Sequence, residues 1–318
     1  MANVELTETE LEKKYPGILE ILLIDRTSNK NIIWATSNYS RFGKGFMSTD
    51  HISLKYLINH SRQIVKPRIL KSKTEQKKRS KDMAEVFTPA WVCNLQNNMI
   101  DNEWFGYKNA FNEEIESGWI DTEKVEFKDK NWKDYIDLER MEITCGEAPY
   151  LTSRYDVVTG SEIRPLDRIG LLDRKLRVVC ENTDDENDYI ENSLLSLKRI
   201  YGYDFQGDNV LIARKNLFFT YIEFFEEKFK KEPSIDLLKE VAKIISWNIW
   251  QMDGMKYVIP FSCHKEETLQ LSLFEDMQEE PEFCKGCRTG DIHQHNGTYS
   301  KIKDWRSNRI VKFIDIVK

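Results

Sequence analysis

Glu142-Ile143-Thr144-Cys145-Gly146-Glu147-Ala148-Pro149-Tyr150-Leu151 is the stretch on which the fold turns. Met141 to Thr144 predicts a strand, Cys145-Gly146 a turn, and the residues beyond it a helix. Glycine in such a turn lets backbone approach a ligand closely, and ligands of parallel α/β sheets sit at the carboxyl ends of the strands. One glycine is a weak signal. Ile200-Tyr201-Gly202-Tyr203-Asp204 strengthens it by placing an acid at the end of the next strand. An acid there accepts hydrogen bonds from the ribose hydroxyls of a nucleoside ligand. The gap from Gly146 to Asp204 exceeds the roughly 20 residues of a nicotinamide fingerprint. Tyr155 to Asp188 therefore reads as an insertion, and the spacing counts against a dehydrogenase.

Working outward, Leu194 to Ile200, Asp208 to Phe225 and Leu237 to Ile245 have helical spacing, the last leading into Trp247-Asn248-Ile249-Trp250. Arg177-Val178-Val179-Cys180 is a second short apolar run, and Asp184 to Asp188 an acidic loop or helix start. Strands alternating with helices predict an α/β fold with a doubly wound, Rossmann-like parallel sheet. Upstream, Leu6 to Ile24 is helical with a break at Pro16-Gly17, and Asn31 to Thr36 is β-rich. Met83 to Met99 predicts a helix with Thr88 as N-cap and Pro89 in its first turn. Residues 101–135 read as an insertion or a substrate-facing excursion. The division that follows is an N-terminal α/β extension with a basic linker (1–82), a cofactor-binding core (83–260), and a zinc-knuckle loop with a C-terminal strand (261–318).

The chain has 318 residues, 40% hydrophobic and 31% charged, which describes a globular protein with a real core. No stretch approaches the roughly 18 apolar residues of a membrane span. The acidic start, Met1 to Glu8, lacks the apolar region of a signal peptide. A cytoplasmic protein without a membrane partner is the expectation. The net charge of −6 argues against nucleic-acid binding by bulk charge. A local patch exists nonetheless: Lys66, Arg68, Lys71, Lys73, Lys77, Lys78, Arg79 and Lys81, interrupted by one acid, Glu75. It reads equally as a solvated, mobile loop and as a phosphate-contacting arm.

Cys284-Lys285-Gly286-Cys287 is a C-x2-C knuckle, with Cys263 upstream and His293 and His295 downstream. Zinc takes four N/S ligands tetrahedrally, and this spacing lets two thiolates share one metal. Cys263, Cys284, Cys287 and one histidine complete a Cys₃His set. His295 is preferred over His293 because the longer reach from Cys287 leaves room for a turn. Four protein ligands leave no open position for water, so the zinc expected here is structural.

Cys145-Gly146-Glu147-Ala148-Pro149-Tyr150-Leu151 resembles the Asp-Pro-Ala-Cys-Gly-Ser-Gly-Asn-Phe-Leu turn of adenine-N6 DNA methyltransferases of restriction–modification systems. More narrowly, the chain resembles the subunit M proteins of that family in Bacteroidales. Glu142 takes the place of the family's acid, while Ala148 replaces its second glycine. Phe87-Thr88-Pro89 matches the family's Phe-Thr-Pro motif, and Gly202-Tyr203-Asp204 its Gly-Ile-Asp strand. Ala213-Arg214-Lys215-Asn216-Leu217 matches its Ala-Arg-Asn-Leu helix, and Asn248 to Asp253 a later strand ending in an acid. The resemblance implies an S-adenosylmethionine pocket. Phe87, Thr88 and Pro89 would lie against the methionine moiety, and Glu142, Thr144, Cys145 and Gly146 would form the turn. Asp204 would hold the ribose with Phe205 beside it, and Asp253 would approach the adenine amine.

Methylating an exocyclic amine also requires the target base to be flipped and held. In this family an Asn/Asp-Pro-Pro-Tyr/Phe loop does so, and none of the eight prolines here is adjacent to another. Three expectations follow. The chain is one half of a split methyltransferase acting on DNA, with the catalytic loop on a protein partner. Alternatively it is a catalytically inactive, methyltransferase-like DNA-binding or scaffold component of a defence system, or an unrelated Rossmann-like protein. Tyr150, Tyr155, Trp247 and Trp250 are candidates for stacking or for core. No Asp…Glu-x-Lys nuclease core is present; Glu223, Glu226 and Glu227 fall on a predicted helix.

Overall fold

Three short strands, Arg140–Glu142, Ile200–Asp204 and Ile249–Gln251, pair in parallel in that order. They form the centre of the computed structural model, which describes residues 6–58, 63–83, 85–265 and 283–317. Two helices, Leu171–Asn182 and Glu186–Lys198, connect the first strand to the second, and Gly207–Phe229 and Ile235–Asn248 connect the second to the third. The protein is thus mixed α/β, with its strands in small sheets.

Alternation along the strands decides what covers each face. Ile200 and Ile249 point into the main core with the helices, among them Leu211, Leu217 and Val241. Tyr201, Tyr203 and Trp250 point the other way, onto Ile302 and Phe313. That second face is covered by the antiparallel hairpin Lys301–Asp304 and Arg309–Lys312 rather than by helices. The C-terminal strand therefore closes a hairpin and does not extend the parallel sheet.

The N-terminal segment shares the main core. Helices Glu8–Lys14 and Ile18–Leu23, separated at Pro16-Gly17 as predicted, bury Leu11, Leu19, Leu22 and Leu23 in the main core, the second of them against the Gly207–Phe229 and Ile235–Asn248 helices. Arg214, fully buried, fastens the pieces together. It donates to Ile249 O (2.7 Å), Leu22 O (2.5 Å), Ile24 O (2.9 Å) and Ser246 O (3.1 Å). Gln251 makes a second clamp, accepting from Ile33 N (2.9 Å) and donating to Ile33 O (2.9 Å). Gly207 is required where this segment crosses the long helix, because a Cβ there would lie 1.9 Å from Ile33 O.

Several local expectations change. The first strand ends at Glu142, and no helix follows the turn directly: the chain runs irregularly to Leu171. The Arg177–Cys180 run lies inside the Leu171–Asn182 helix, so Tyr155 to Asp188 carries much of the helical layer. Asp185 is the N-cap of the next helix, accepting from Asn187 N and Asp188 N. Residues 101–135 hold a hairpin, Asn112–Ile115 with Gly118–Asp121, and pack Phe105, Phe111 and Tyr135 into a second core. The stretch 264–283, polar and acidic with little pattern and so expected to be a loop, lies mostly outside the described residues. No helix among the described residues is long and apolar enough to cross a membrane.

Candidate functional site

At the carboxyl ends of the first two strands lies a cavity of about 500 Å³. It is lined by Phe87 and Thr88, by Glu142 to Glu147, by Tyr150, and by Asp204 to Gln206 with Asn209. Of the ten predicted cofactor residues, eight line it. Pro89 does not; it is itself the N-cap of the Ala90–Phe105 helix, in place of Thr88, and the free Ala90 N–H is capped by Asp156 Oδ2 at 2.6 Å. Asp253 lies in an adjoining cavity.

The Glu142–Leu151 segment is built from left-handed residues: Thr144 (φ +49°), Gly146 (φ +54°) and Ala148 (φ +64°). Each non-glycine there costs roughly 1–2 kcal/mol. Surroundings hold the turn in this shape. Cys145 N donates to Tyr203 O at 2.8 Å, and Gly146 N donates to Asp204 Oδ2 at 2.9 Å. Gly202 lies beneath, where a Cβ would meet Ile249, Leu151 and Cys145 side chains at 3.2–3.4 Å. Asp204 also accepts from Gln206 N (2.8 Å) and Asn209 Nδ2 (3.4 Å). A carboxylate offers about four lone-pair sites, so acceptor capacity remains on Oδ2. Burial pushes the Asp204 carboxyl up to about 6, against the opposing N–H groups of Gln206 and Gly146.

Glu142 supplies the second acid. Its Oε2 is buried and has no hydrogen-bond partner among the described residues. Burial raises its carboxyl well above the ordinary range, opposed by the N–H groups of Tyr150 and Leu151 and reinforced by Asp204. Two acids whose ionised forms are disfavoured share one cavity, so a cation placed between them is stabilised by both.

The basic segment explains how Phe87 and Thr88 reach the site. Lys73–Met83 is a helix, and its inward Arg79 is buried. Arg79 donates twice to Glu85 at 2.7 Å and once to Asn209 Oδ1 at 3.2 Å, and pairs with Asp208 at 2.8 Å. Lys71 faces Asp208 at 3.8 Å, and Tyr39 donates to it at 2.7 Å. Arg68 lies 4.4 Å over the Phe87 ring, and its N–H donates to Glu147 at 2.5 Å. Three of the segment's cations thus serve internal contacts, while Lys73, Lys77, Lys78 and Lys81 are exposed. Glu85, Arg79, Asp208 and Asn209 were missed from sequence. Helical spacing held the clue, since Arg79 falls opposite the Lys73-Lys77-Lys81 stripe.

The other motif residues are structural. Ala213 to Leu217 is buried: Asn216 donates to Glu147 O at 2.9 Å, and Lys215 pairs with Glu8 at 3.0 Å. Trp250 is core against Tyr203 and Phe313, and Tyr155 is buried, donating to Glu147 Oε2 at 3.0 Å. Tyr150 alone of the four aromatics lines the cavity.

A second centre forms where Cys263, Cys284, Cys287 and His295 meet. Each sulfur is 3.6 Å from His295 Nδ1, and the four ligand atoms lie within 4.8 Å of one another. Tetrahedral zinc, with bonds of about 2.1 Å to nitrogen and 2.3 Å to sulfur, separates N from S by about 3.6 Å. His293 is not in the set. Gly286 and Gly297 are needed for closure, because a Cβ would lie 2.6 Å from His295 N in the first case and 2.9 Å from Cys263 Sγ in the second. This donor set can hold zinc. Comparison with known protein families, with curated proteins and with solved structures returned no match.

Proposed function

We propose that the cavity binds S-adenosylmethionine. On this reading the chain is the cofactor-binding subunit of a DNA adenine-N6 methyltransferase of a restriction–modification system, built on a Rossmann-like sheet of the methyltransferase type. The observation that carries it is the meeting of three sequence-distant segments, Phe87-Thr88, Glu142 to Gly146 and Asp204-Phe205, around one cavity at the strand ends. The chemistry of the wall fits the ligand. S-adenosylmethionine carries an ammonium and a sulfonium, and the unpartnered Glu142 Oε2 offers the ammonium a carboxylate. Asp204 keeps acceptor capacity for a ribose hydroxyl. The cofactor supplies an electrophilic methyl group; these residues bind and orient it.

The target amine needs its own acceptors, and no Pro-Pro pair occurs in these 318 residues. We propose that a partner polypeptide supplies the amine-positioning loop and that the assembled pair methylates DNA. The Cys₃His centre holds one structural zinc.

Isothermal calorimetry with S-adenosylmethionine and S-adenosylhomocysteine tests the reading, on the wild type and on Asp204→Ala. Binding to the wild type is expected, weakened at least about tenfold in the variant, as for a lost hydrogen bond to a charged group. No heat with either ligand from folded, zinc-loaded wild type would rule it out.

A further inference from the structure

A groove of about 490 Å³ gathers five cations, Arg26, Lys198, Lys239, Lys243 and Lys303, with Glu240 as the one acid among its lining residues. Trp305 and three isoleucines complete the lining. That balance reverses the sign of the chain as a whole, whose net charge is −6. Trp305 fixes the place of the groove. Its Nε1 donates to Asn248 Oδ1 at 2.7 Å, and Asn248 in turn donates to Leu197 O at 3.0 Å and Ile200 O at 2.9 Å. These residues stand at the starts of the Ile200–Asp204 and Ile249–Gln251 strands. The groove therefore lies at the amino ends of the strands, and the Glu142–Asp204 cavity at their carboxyl ends.

The cations are crowded. Lys303 Nζ is 4.4 Å from the centroid of the Trp305 ring and Lys198 Nζ is 5.6 Å from it, so the two ammonium groups lie within about 10 Å of each other, roughly one Debye length at 0.1 M salt. Lys239 and Lys243 are four apart on one helix and share a face. Lys198 and Lys303 are half-buried. Burial holds the Lys303 ammonium below its ordinary value, and Lys243 and Lys198 add to the effect.

Neither ion pairing nor helix capping accounts for the cluster. Lys198, Lys243 and Lys303 form no ion pair among the described residues. Lys239 reaches only Asp236, at 3.9 Å on the surface, and Arg26 donates to a neutral partner, Ser246 Oγ, at 2.7 Å. The last carbonyls of the two neighbouring helices are already taken. Leu197 O accepts from Asn248, Ser246 O from Arg214 at 3.1 Å, and Ile245 O from Ile249 N. Like charges held together and partly stripped of water are unfavourable until an anion joins them.

We infer that this groove binds the phosphate backbone of a nucleic acid, at a site separate from the proposed cofactor cavity and from the Lys73-Lys77-Lys81 stripe. Its cations come from two helices, a strand and the Arg26 loop. Lysine meets phosphate as a point charge, and such charges spread over several elements suit a charged backbone better than one phosphate group. Contacts of this kind position a duplex without reading its bases. The groove acts independently of the cavity, whatever the cavity binds.

Fluorescence anisotropy with a labelled DNA duplex of mixed sequence tests this. The proteins compared are the wild type, a triple variant with Lys198→Gln, Lys243→Gln and Lys303→Gln, the matching triple Lys→Arg variant, and Lys243→Glu alone. Lys243 is exposed, so its reversal leaves packing untouched. The glutamine triple should weaken duplex binding at least about tenfold and reduce the slope of log affinity against log salt by up to about 2.7, at about 0.9 per phosphate contact. The arginine triple should bind as the wild type does, and Lys243→Glu should bind several-fold more weakly. The melting temperature of the glutamine triple should hold or rise, because the repulsion is relieved. Affinity and salt slope unchanged in both the glutamine triple and Lys243→Glu would overturn the inference. Binding lost equally in the arginine triple, with a lowered melting temperature, would make the lysines structural and overturn it as well. Tripolyphosphate or polyglutamate bound at a salt concentration where the duplex is not would reassign the groove to a free polyphosphate or an acidic protein, and so overturn the nucleic-acid assignment. None of these outcomes bears on calorimetry with S-adenosylmethionine, which tests the cofactor reading alone.

Discussion

Arg79→Met removes the cation at the centre of the network beneath the proposed cofactor cavity. The side chains involved are almost fully enclosed: Arg79 at 1%, Glu85 at 5% and Asp208 at 0% exposure. Deleting one partner of a buried pair costs about 3–5 kcal/mol, because the charge left behind is neither solvated nor paired. Two carboxylates, Glu85 and Asp208, lose their guanidinium partner here. Asp208 retains Tyr39 at 2.7 Å and Lys71 at 3.8 Å, which keeps the cost within that range. Taking about 4 kcal/mol, and an unfolding entropy of about 2.1 cal/mol/K per residue, the melting temperature should fall by about 6 °C.

The pH dependence separates this mechanism from loss of packing. In the wild type, burial pushes the Asp208 carboxyl up, but Arg79 and Lys71 overcome it and hold the group below its ordinary value. A depressed acid contributes stability that is present above its unfolded pKa of about 3.9 and is lost as pH falls through the folded value. Without Arg79, burial prevails and the folded value rises. An acid raised in this way loses stability as pH climbs through it. The gap between wild type and Arg79→Met should therefore widen from pH 5 to pH 8. Adding Asp208→Asn to Arg79→Met should recover about half of the loss, since the amide still accepts from Tyr39. Differential scanning calorimetry across that pH range is the assay. A shift under about 1 °C, or a gap that narrows as pH rises, would refute the reasoning.

Elemental analysis should find about one zinc per chain, and Cys287→Ser or Cys284→Ser should lower it below about a tenth of an equivalent. S-adenosylmethionine affinity should fall about tenfold from pH 7 to pH 5, because Asp204, pushed up to about 6, passes from mostly ionised to mostly protonated; Asp204→Asn should flatten that part of the profile. Gly146→Ala should cost about 1 kcal/mol through its left-handed φ alone, since nothing lies within 4 Å of its Cβ. Gly207→Ala, with backbone 1.9 Å from its Cβ, should destabilise by several-fold more, both variants being compared with wild type by denaturant titration. Lys73→Gln, Lys77→Gln and Lys81→Gln together should lower the salt dependence of DNA binding by up to about 0.9 per lost phosphate contact while leaving cofactor affinity unchanged.

The Ile235–Asn248 helix was legible because burial on one face leaves a 3.6-residue period, the Gly207–Phe229 helix because it is long and apolar though buried nearly all round, and the Ile200–Asp204 and Ile249–Gln251 strands because they are short, apolar and bounded by helices. The span from Tyr155 to Asp188 was not. Leu171–Asn182 buries Asp173, Arg174, Lys175 and Arg177, so its polar residues disguise a core helix as an insertion. Arg174 shows why: it spends its guanidinium on Asp101 (2.6 Å), Asn94 (2.8 Å) and Asn98 (2.6 Å), partners far away in the chain. The Cys₃His set, including the choice of His295, was readable because three of its ligands, Cys284, Cys287 and His295, fall close together in the sequence. The cap on Ala90 came from Asp156, and no short-range rule reports a cap supplied from that distance.

The basic segment shows how one run of like charge can serve two ends. A net charge of −6 and a cluster of lysines invite a single question, whether the cluster meets a polyanion. Helical geometry divides the cluster instead. Residues four apart share a face, so Lys73, Lys77 and Lys81 form one exposed stripe, while Arg79 points inward to two buried acids. Arg68 and Lys71, ahead of the helix, are likewise committed to Phe87, Glu147 and Asp208. Those inward contacts fix Glu85 to Thr88 against the turn that contains Gly146, and through Asn209 they reach Asp204. The outward stripe is then carried on a helix whose position is set by the same network that shapes the cavity. A polyanion drawn to the stripe would lie on the element that holds one wall of the cavity, which places the proposed DNA and cofactor functions on opposite faces of one helix.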